Sequence, residues 1–410
     1  VPGPRPVLEV ADLVRSHGQR LQESRRLSTE QQRVMRHIAS CRTAQLGGHV
    51  DVCDCCGHER PSYNSCRDRH CPKCQGTARA RWLEQRLERL LPVPYFHVVF
   101  TVPHELAPVI LRNKRRGYAI LFAAAAETLK TIARDPKRLG AEIAVTAVLH
   151  SWGQNLLFHP HLHCVVSGGG LSPDGDRWVP AKETYLLPVP VLARMFRGKF
   201  LALLAAAYRD HELNLDGEIA ELQDRAAWTR LRRRLYQKHW IVYAKPPFGG
   251  PEHVFRYLGR YTHRVAIANH RLLRSDGDSV TFKVKDYADH GRTKQLTLPV
   301  ERFLGRFLLH ILPSRFVRIR HYGLVAGRNV DSKLAVARRL LAKGRLRCQR
   351  TEPVRETWAE QVRRLTGIDL LVCPSCGQPA MRRQQILPDS PGRWVNNLAR
   401  ASPHAQGGVA

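Results

Sequence analysis

Apolar residues recur along this chain with two different periods, and the changes from one to the other mark its elements. From about Val7 to Ala39 the spacing is helical, with Ser28-x-x-Gln31 as a capping box ahead of Val34 and Ile38. Arg79 to Leu91 predicts an amphipathic helix carrying Arg79, Arg81, Arg86 and Arg89, and Pro92-Val93-Pro94 marks a boundary. Tyr95 to Val102 then alternates as a strand does, Leu106 to Arg134 is helical, and Glu142 to His150 and Phe158 to Gly170 are β-rich. Pro188 to Tyr243 is mostly helical and basic, with Arg230, Arg232, Arg233 and Arg234 close together, and reads as an insertion. A short helix starting near Pro251 and a strand over Arg264 to Ala268 follow. Beyond them come strands at Val280 to Val284 and Gln295 to Leu298, a helix around Phe303 to Ile311, and a basic run from Arg315 to His321. Ser332 to Arg347 and Thr357 to Leu371 predict helices, and the Ser/Pro/Gly-rich tail after Pro388 predicts disorder.

This order makes the chain an α+β protein whose β-α-β-β run, with the helix and strand after it, is compatible with a ferredoxin-like sandwich. Three regions are expected: residues 1–92, a helical lead-in with a metal-binding module; 93–325, the main domain with its insertion at about 188–243; and 326–410, a basic helical region.

Composition changes the picture in one respect. A net charge of +31, from 66 Lys+Arg against 35 Asp+Glu, points to a polyanionic partner, nucleic acid first. A membrane surface is the weaker candidate, because no apolar run approaches the ~20 residues of a span. No signal peptide opens the chain, and Val1 hints at an alternative bacterial start codon, so a bacterial cytoplasmic location is expected. In that reducing compartment the 11 cysteines point to zinc rather than disulfides. Cys53-x2-Cys56 and Cys71-x2-Cys74 are two knuckles that could converge tetrahedrally on one structural Zn²⁺. Cys41, His49, Cys66 and His70 sit around them and could build a second, interleaved site. Cys373-Pro374-Ser375-Cys376 is a lone pair that would need partners from elsewhere, Cys348 among them.

Two stretches carry the candidate chemistry. In Phe158-His159-Pro160-His161-Leu162-His163-Cys164-Val165-Val166 a strand sends His161 and His163 to one face, where both can address one cation. Two imidazoles hold a hard cation poorly, so a third ligand is expected; Gln154 is the choice, since an adjacent antiparallel strand could bring its amide oxygen to that face, and His159, His97 and His150 compete. In Gly250-Pro251-Glu252-His253-Val254-Phe255-Arg256-Tyr257-Leu258-Gly259-Arg260-Tyr261 the two tyrosines share one helix face. The same positions would also serve as an ordinary apolar stripe. Arg256, Arg260, His263 and Arg264 surround the pair and could grip a phosphate or favour an ionised phenol.

Together these two stretches resemble the HUH endonucleases. The text around them is more specific: Cys41-Arg42-Thr43-Ala44, Ser65-Cys66-Arg67-Asp68-Arg69-His70-Cys71-Pro72-Lys73-Cys74, Tyr95-Phe96-His97-Val98-Val99-Phe100-Thr101, Tyr257-Leu258-Gly259-Arg260-Tyr261-Thr262-His263-Arg264-Val265-Ala266-Ile267 and Phe316-Val317-Arg318-Ile319-Arg320-His321-Tyr322-Gly323. These resemble the two-tyrosine rolling-circle transposases of bacterial insertion sequences, the group numbered ninety-one, over most of the chain from Cys41 to Cys376. The resemblance implies a ferredoxin-like HUH core and a Mg²⁺ or Mn²⁺ held by His161, His163 and a third polar ligand. It also implies attack by Tyr257 or Tyr261 on single-stranded DNA, giving a 5′-phosphotyrosine and a free 3′-hydroxyl without a nucleotide cofactor. Two tyrosines can hold two DNA ends in turn. A replication initiator or relaxase would use the same chemistry at a fixed origin. A non-catalytic zinc-ribbon nucleic-acid binder would use none of it.

Overall fold

The computed structural model describes residues 7–182, 187–245, 259, 266–286, 289–342 and 356–388, and the chain divides into two compact units. The first gathers Val1–Ala80, His263–Ile311 and Gln349–Ala410; the second gathers Arg81–Thr262 and Leu312–Cys348. Both mix helices with antiparallel sheets, as the α+β reading expects. Among the described residues no helix is long and apolar enough to cross a membrane.

In the first unit, α1 (Val10–Ser24) packs on α2 (Thr29–Ser40). Ser28 caps α2 as its spacing predicts: Ser28 Oγ accepts from the Gln31 N–H at 3.3 Å, and Gln31 Oε1 accepts from the Ser28 N–H at 2.9 Å. β1 (Gly48–Cys53) lies between β2 (Glu59–Tyr63) and the C-terminal β12 (Met381–Ile386), antiparallel to both, with Gly48 opposite Ile386 and Cys53 opposite Met381. A second sheet, β8 (Leu272–Ser275), β9 (Ser279–Asp286) and β10 (Arg292–Pro299), carries α8 (Val300–Leu308), and Phe282 meets Phe303 at 5.3 Å between ring centres. α10 (Trp358–Thr366), capped by Thr357, precedes β12.

This arrangement corrects the expected boundaries at 92/93 and 325/326. The C-terminal CxxC turn and β12 complete the N-terminal ribbon, and residues 266–311 belong with that unit rather than with the main domain. Of the strand expected over Arg264 to Ala268, the described residues Ala266 to Ala268 are not extended into a sheet, and Ala266 has a φ of 60°.

The second unit opens from α3 (Gly76–Leu87), whose residues fall in both units. Its sheet runs β11 (Ile319–Gly323), β4 (Glu142–Trp152), β5 (Phe158–Leu171), β3 (Tyr95–Thr101), β7 (Val242–Lys245), all antiparallel, with β6 (Trp178–Pro180) on the end of β5. In chain order this is β3, helices α4 (Ala107–Arg112) and α5 (Lys114–Arg134), β4, β5, helices α6 (Val189–Arg209) and α7 (Arg225–Gln237), then β7. That is a βαββαβ unit with the strand order of a ferredoxin-like sheet, extended by β11. One face is covered because alternate residues Phe96, Val98 and Phe100 of β3, and Leu162, Cys164 and Val166 of β5, point to the same side as the apolar stripes of α5 and α6. Phe100 meets Phe196 of α6 at 4.9 Å between ring centres, and Phe196 meets Trp240 at 5.4 Å.

The segment 188–243 is therefore not an insertion: it supplies the second helix of the repeat, α6, packed beside α5 on the same face, and its last strand. The arginines of α7 obscured the stripe Trp228, Leu231 and Leu235, which is buried. On the other face lie Tyr95, Ala144 and Val165, packed with Leu91, Leu324 and Ala337, the last from α9 (Ala335–Ala342).

Gly323 closes β11 against β4 with a φ of 63°, and a Cβ there would stand 1.8 Å from the Ile143 carbonyl oxygen. Gly323→Ala is expected to destabilise the second unit by about 2–4 kcal/mol, the combined cost of left-handed backbone and overpacking. Chemical denaturation with zinc content measured in parallel checks this: the midpoint should fall and zinc should not.

Candidate functional site

Register places the histidines before any side-chain packing does. In β4 and β5, His150 is directly opposite His161 and Val148 opposite His163; in β3, Val99 is opposite His163 and His97 opposite Val165. His97, His150, His161 and His163 thus share the face left open by the helical layer. His161 Nε2 and His163 Nε2 are 3.1 Å apart, and ligand atoms of His150, His161 and His163 all lie within 4.8 Å of one another. The far nitrogens are held. His161 Nδ1 donates to the His159 carbonyl at 2.7 Å, which leaves its Nε2 a lone pair, and His163 Nδ1 is 2.8 Å from His97 Nε2. Burial pushes His161 and His97 down to about 4 and lowers His150 and His163 as well, so all four are neutral, the ligand form, near pH 7.

A divalent cation fits this donor set. Bonds of about 2.1 Å at right angles put two ligand nitrogens about 3.0 Å apart, close to the observed contact. The third imidazole comes from His150, stacked on Trp152 at 4.7 Å. Gln154, the expected third ligand, lies in the turn beyond the last paired residues, Trp152 and Phe158, and so is not on the strand that the argument for it required. His97, a competitor for the same place, contacts the outer nitrogen of His163 and orients that ring.

The cysteines form two tetrads: Cys41, Cys66, Cys71, Cys74 and Cys53, Cys56, Cys373, Cys376. Their thiols approach at 3.6 Å (Cys53 with Cys376), 3.7 Å (Cys56 with Cys373) and 3.7 Å (Cys66 with Cys74). A tetrahedron with Zn–S bonds of about 2.3 Å has edges of about 3.8 Å, so both tetrads fit zinc. Within the first, hydrogen bonds from Cys66, Cys71 and Cys74 hold the Cys41 thiol far below its usual range, while Cys71 is pushed up by Cys41, Cys66 and Cys74. Four thiols this close are all ionised together only when a dication binds the thiolates and their protons are released to solvent.

The pairing corrects the expected one. Cys53 and Cys56 do not meet Cys71 and Cys74, and His49 and His70 belong to neither tetrad. His49 faces Asp51 at 3.8 Å, and His70 Nδ1 meets Asp68 at 2.9 Å. Asp68 also takes His37 at 2.9 Å; burial opposes its charge, but these bonds hold the carboxyl well below the usual range. The signal for the correct pairing is a repeated signature. Cys53-Asp54-Cys55-Cys56-Gly57 and Cys373-Pro374-Ser375-Cys376-Gly377 end in glycines at φ 70° and 73°, and each glycine N–H donates to the carbonyl of its first cysteine at 2.9 Å.

Tyr257, Tyr261, Arg256, Arg260 and Arg264 lie outside the described residues, as does Cys348. The chain enters the tyrosine segment from β7, where Lys245 is opposite His97 and Tyr243 opposite Val99, on the histidine-bearing sheet.

Residues 144–333 match the family described as "Putative transposase", and residues 13–102 match the one described as "Transposase zinc-binding domain" of the IS91 type. The chain is 50% identical over 374 residues to "Putative transposase y4qJ" of Sinorhizobium fredii, covering 91% of this chain and 94% of that one. It is 28% identical over 344 residues to "Transposase for insertion sequence element IS801" of Pseudomonas savastanoi pv. phaseolicola, covering 79% and 77%. No solved structure matches.

Proposed function

From the premise that this chain belongs to the IS91-type transposases, zinc-binding proteins that act on DNA, we propose that it nicks and joins single-stranded transposon ends through a 5′-phosphotyrosine intermediate, as in rolling-circle transposition. The observation that carries this reading is the row of three neutral imidazoles from two adjacent strands, with the Nε2 atoms of His161 and His163 3.1 Å apart. A Mg²⁺ or Mn²⁺ bound there would supply Lewis-acid stabilisation of charge on the non-bridging oxygens of the scissile phosphate. His161, His163 and His150 are its ligands, and His97 and the His159 carbonyl fix the rings that need fixing.

The phenol of Tyr257 or Tyr261 loses its proton and attacks phosphorus. The new bond is tyrosine O–P, the broken one is P–O3′, and the leaving oxygen takes a proton to become a free 3′-hydroxyl. Attack by that or another 3′-hydroxyl reverses the exchange and restores the phenol, so no nucleotide cofactor is consumed. Arg256, Arg260 and Arg264 are assigned to the DNA phosphates. The same chemistry would serve a replication initiator or relaxase, but the two named relatives are both transposases.

The ligand assignment separates two residues that the sequence alone could not. His150→Ala should weaken Mn²⁺ binding about 10–100-fold and nicking with it, whereas Gln154→Ala should leave both within about twofold. Titration followed by the Mn²⁺ electron paramagnetic resonance signal, beside a nicking assay on a labelled oligonucleotide, decides between them. Equal losses from the two variants would contradict the assignment.

A further inference from the structure

The same face of the sheet carries a second recess, on the β11 side of the histidines. It is lined by Arg86, Arg89, Tyr95, Thr146, Val165 and His321 among others, and encloses about 300 Å³ counting the open space at its mouth. His321 of β11 is opposite Thr146 of β4, which is opposite Val165 of β5, so the floor of the recess is one rung of the ladder. His150 stands four residues farther along β4 on the same face, about 13 Å at the usual rise per residue.

The hydrogen bonds here settle the protonation of His321. Arg86 can only donate, so its guanidinium, 3.0 Å away, donates to His321 Nε2; Nδ1 then carries the proton and donates to Thr146 Oγ1 at 3.0 Å. A neutral imidazole thus orients Arg86 without neutralising it. Among the described residues no carboxylate pairs with Arg86 or Arg89. The charge that bears on Arg86 is that of Arg89, and burial together with that repulsion lowers its pKa. Its Nε is buried and has no hydrogen-bond partner among the described residues. Two adjacent guanidiniums, one half-buried and held by a neutral ring, lack a counter-charge of their own.

We infer that the recess formed by Arg86, Arg89 and His321 binds a backbone phosphate of the DNA strand whose scissile phosphate lies at the histidines. The inference rests on the nuclease reading of that site and adds a second grip to it. Arg86 and Arg89 supply charge-assisted donors to the non-bridging oxygens, and His321 is a positioning residue for Arg86. A strand held at both places has its register relative to the cation fixed, which a single contact leaves free.

The test uses the full-length protein and a fluorescent single-stranded oligonucleotide, with anisotropy read across a salt series. Arg86→Gln and Arg89→Gln should each weaken binding about tenfold at 0.1 M salt. Each should also reduce the slope of log affinity against log salt by about 0.7, the signature of one lost phosphate contact on a single strand. Arg89→Gln removes a side chain that makes no ion pair among the described residues, so its effect is read without a folding defect; an unchanged chemical-denaturation midpoint confirms this. His321→Asn should lower affinity by the Arg86 route and add nothing in the Arg86→Gln background. Unchanged affinity and slope in both arginine variants overturn the inference. So does a recess that takes inorganic phosphate in the wild type while oligonucleotide affinity ignores the variants. Covalent adduct formation, measured separately, reports on the nuclease reading: a protein that forms no adduct yet loses affinity in the variants keeps the phosphate site and loses the chemistry.

Discussion

Cys373→Ser combined with Cys376→Ser is expected to remove one of two zinc ions and leave the other. The paired turns contribute two thiolates each to one tetrad, and the other tetrad, Cys41, Cys66, Cys71 and Cys74, shares no ligand with it. Loss of the C-terminal pair leaves Cys53 and Cys56 too few donors to hold the ion, and β12 then loses the covalent anchor next to its pairing with β1. Apparent binding energies of structural zinc are about 10–16 kcal/mol in small domains, so this should be the largest stability effect in the molecule. Metal analysis should fall from two equivalents to one, and limited proteolysis should open the region after residue 342 first. Cys41→Ser should remove the other ion. If the double variant keeps two zinc ions, or if Cys71→Ser releases the ion held by Cys53, the observed pairing is wrong.

The second large effect concerns the nucleophile. Tyr257→Phe with Tyr261→Phe should lower strand nicking by at least about 10³-fold, because removing the attacking group leaves only the phosphate-binding and electrostatic part of catalysis. Metal binding at the histidines and affinity for the oligonucleotide should survive, since neither tyrosine is assigned to them. Nicking at the wild-type rate in the double variant would move the chemistry to another nucleophile, such as a water bound at the same cation.

Local chemistry was legible where one element carries it whole. The strand Phe158–Leu171 was readable because alternation puts His161 and His163 on one face and Leu162 and Cys164 on the other, and the core confirms that division. The Ser28–Gln31 cap was readable for the same reason: both partners sit within one turn. What failed depended on which distant strand arrives alongside. For Gln154 the expectation of an adjacent antiparallel strand meets a tight β4–β5 hairpin that places it in the turn and puts His150 opposite His161, and on that ground His150 is proposed as the third ligand. Cys53 and Cys376 are 323 residues apart, and no local rule pairs them, although the repeated CxxCG signature and eight matched thiols carried the hint. The helical segment 188–243 reads as an insertion in sequence because α7 shows its arginines there and hides Trp228 behind them, stacked on Tyr208 at 4.1 Å.

The most direct measurement of the central claim is the intact mass of the protein after incubation with a single-stranded transposon end and Mn²⁺. The expected product is a species heavier by the fragment downstream of the nick, joined through its 5′-phosphate to Tyr257 or Tyr261, and absent in His161→Ala. A nicked oligonucleotide with a free 5′-phosphate and a protein of unchanged mass would contradict it.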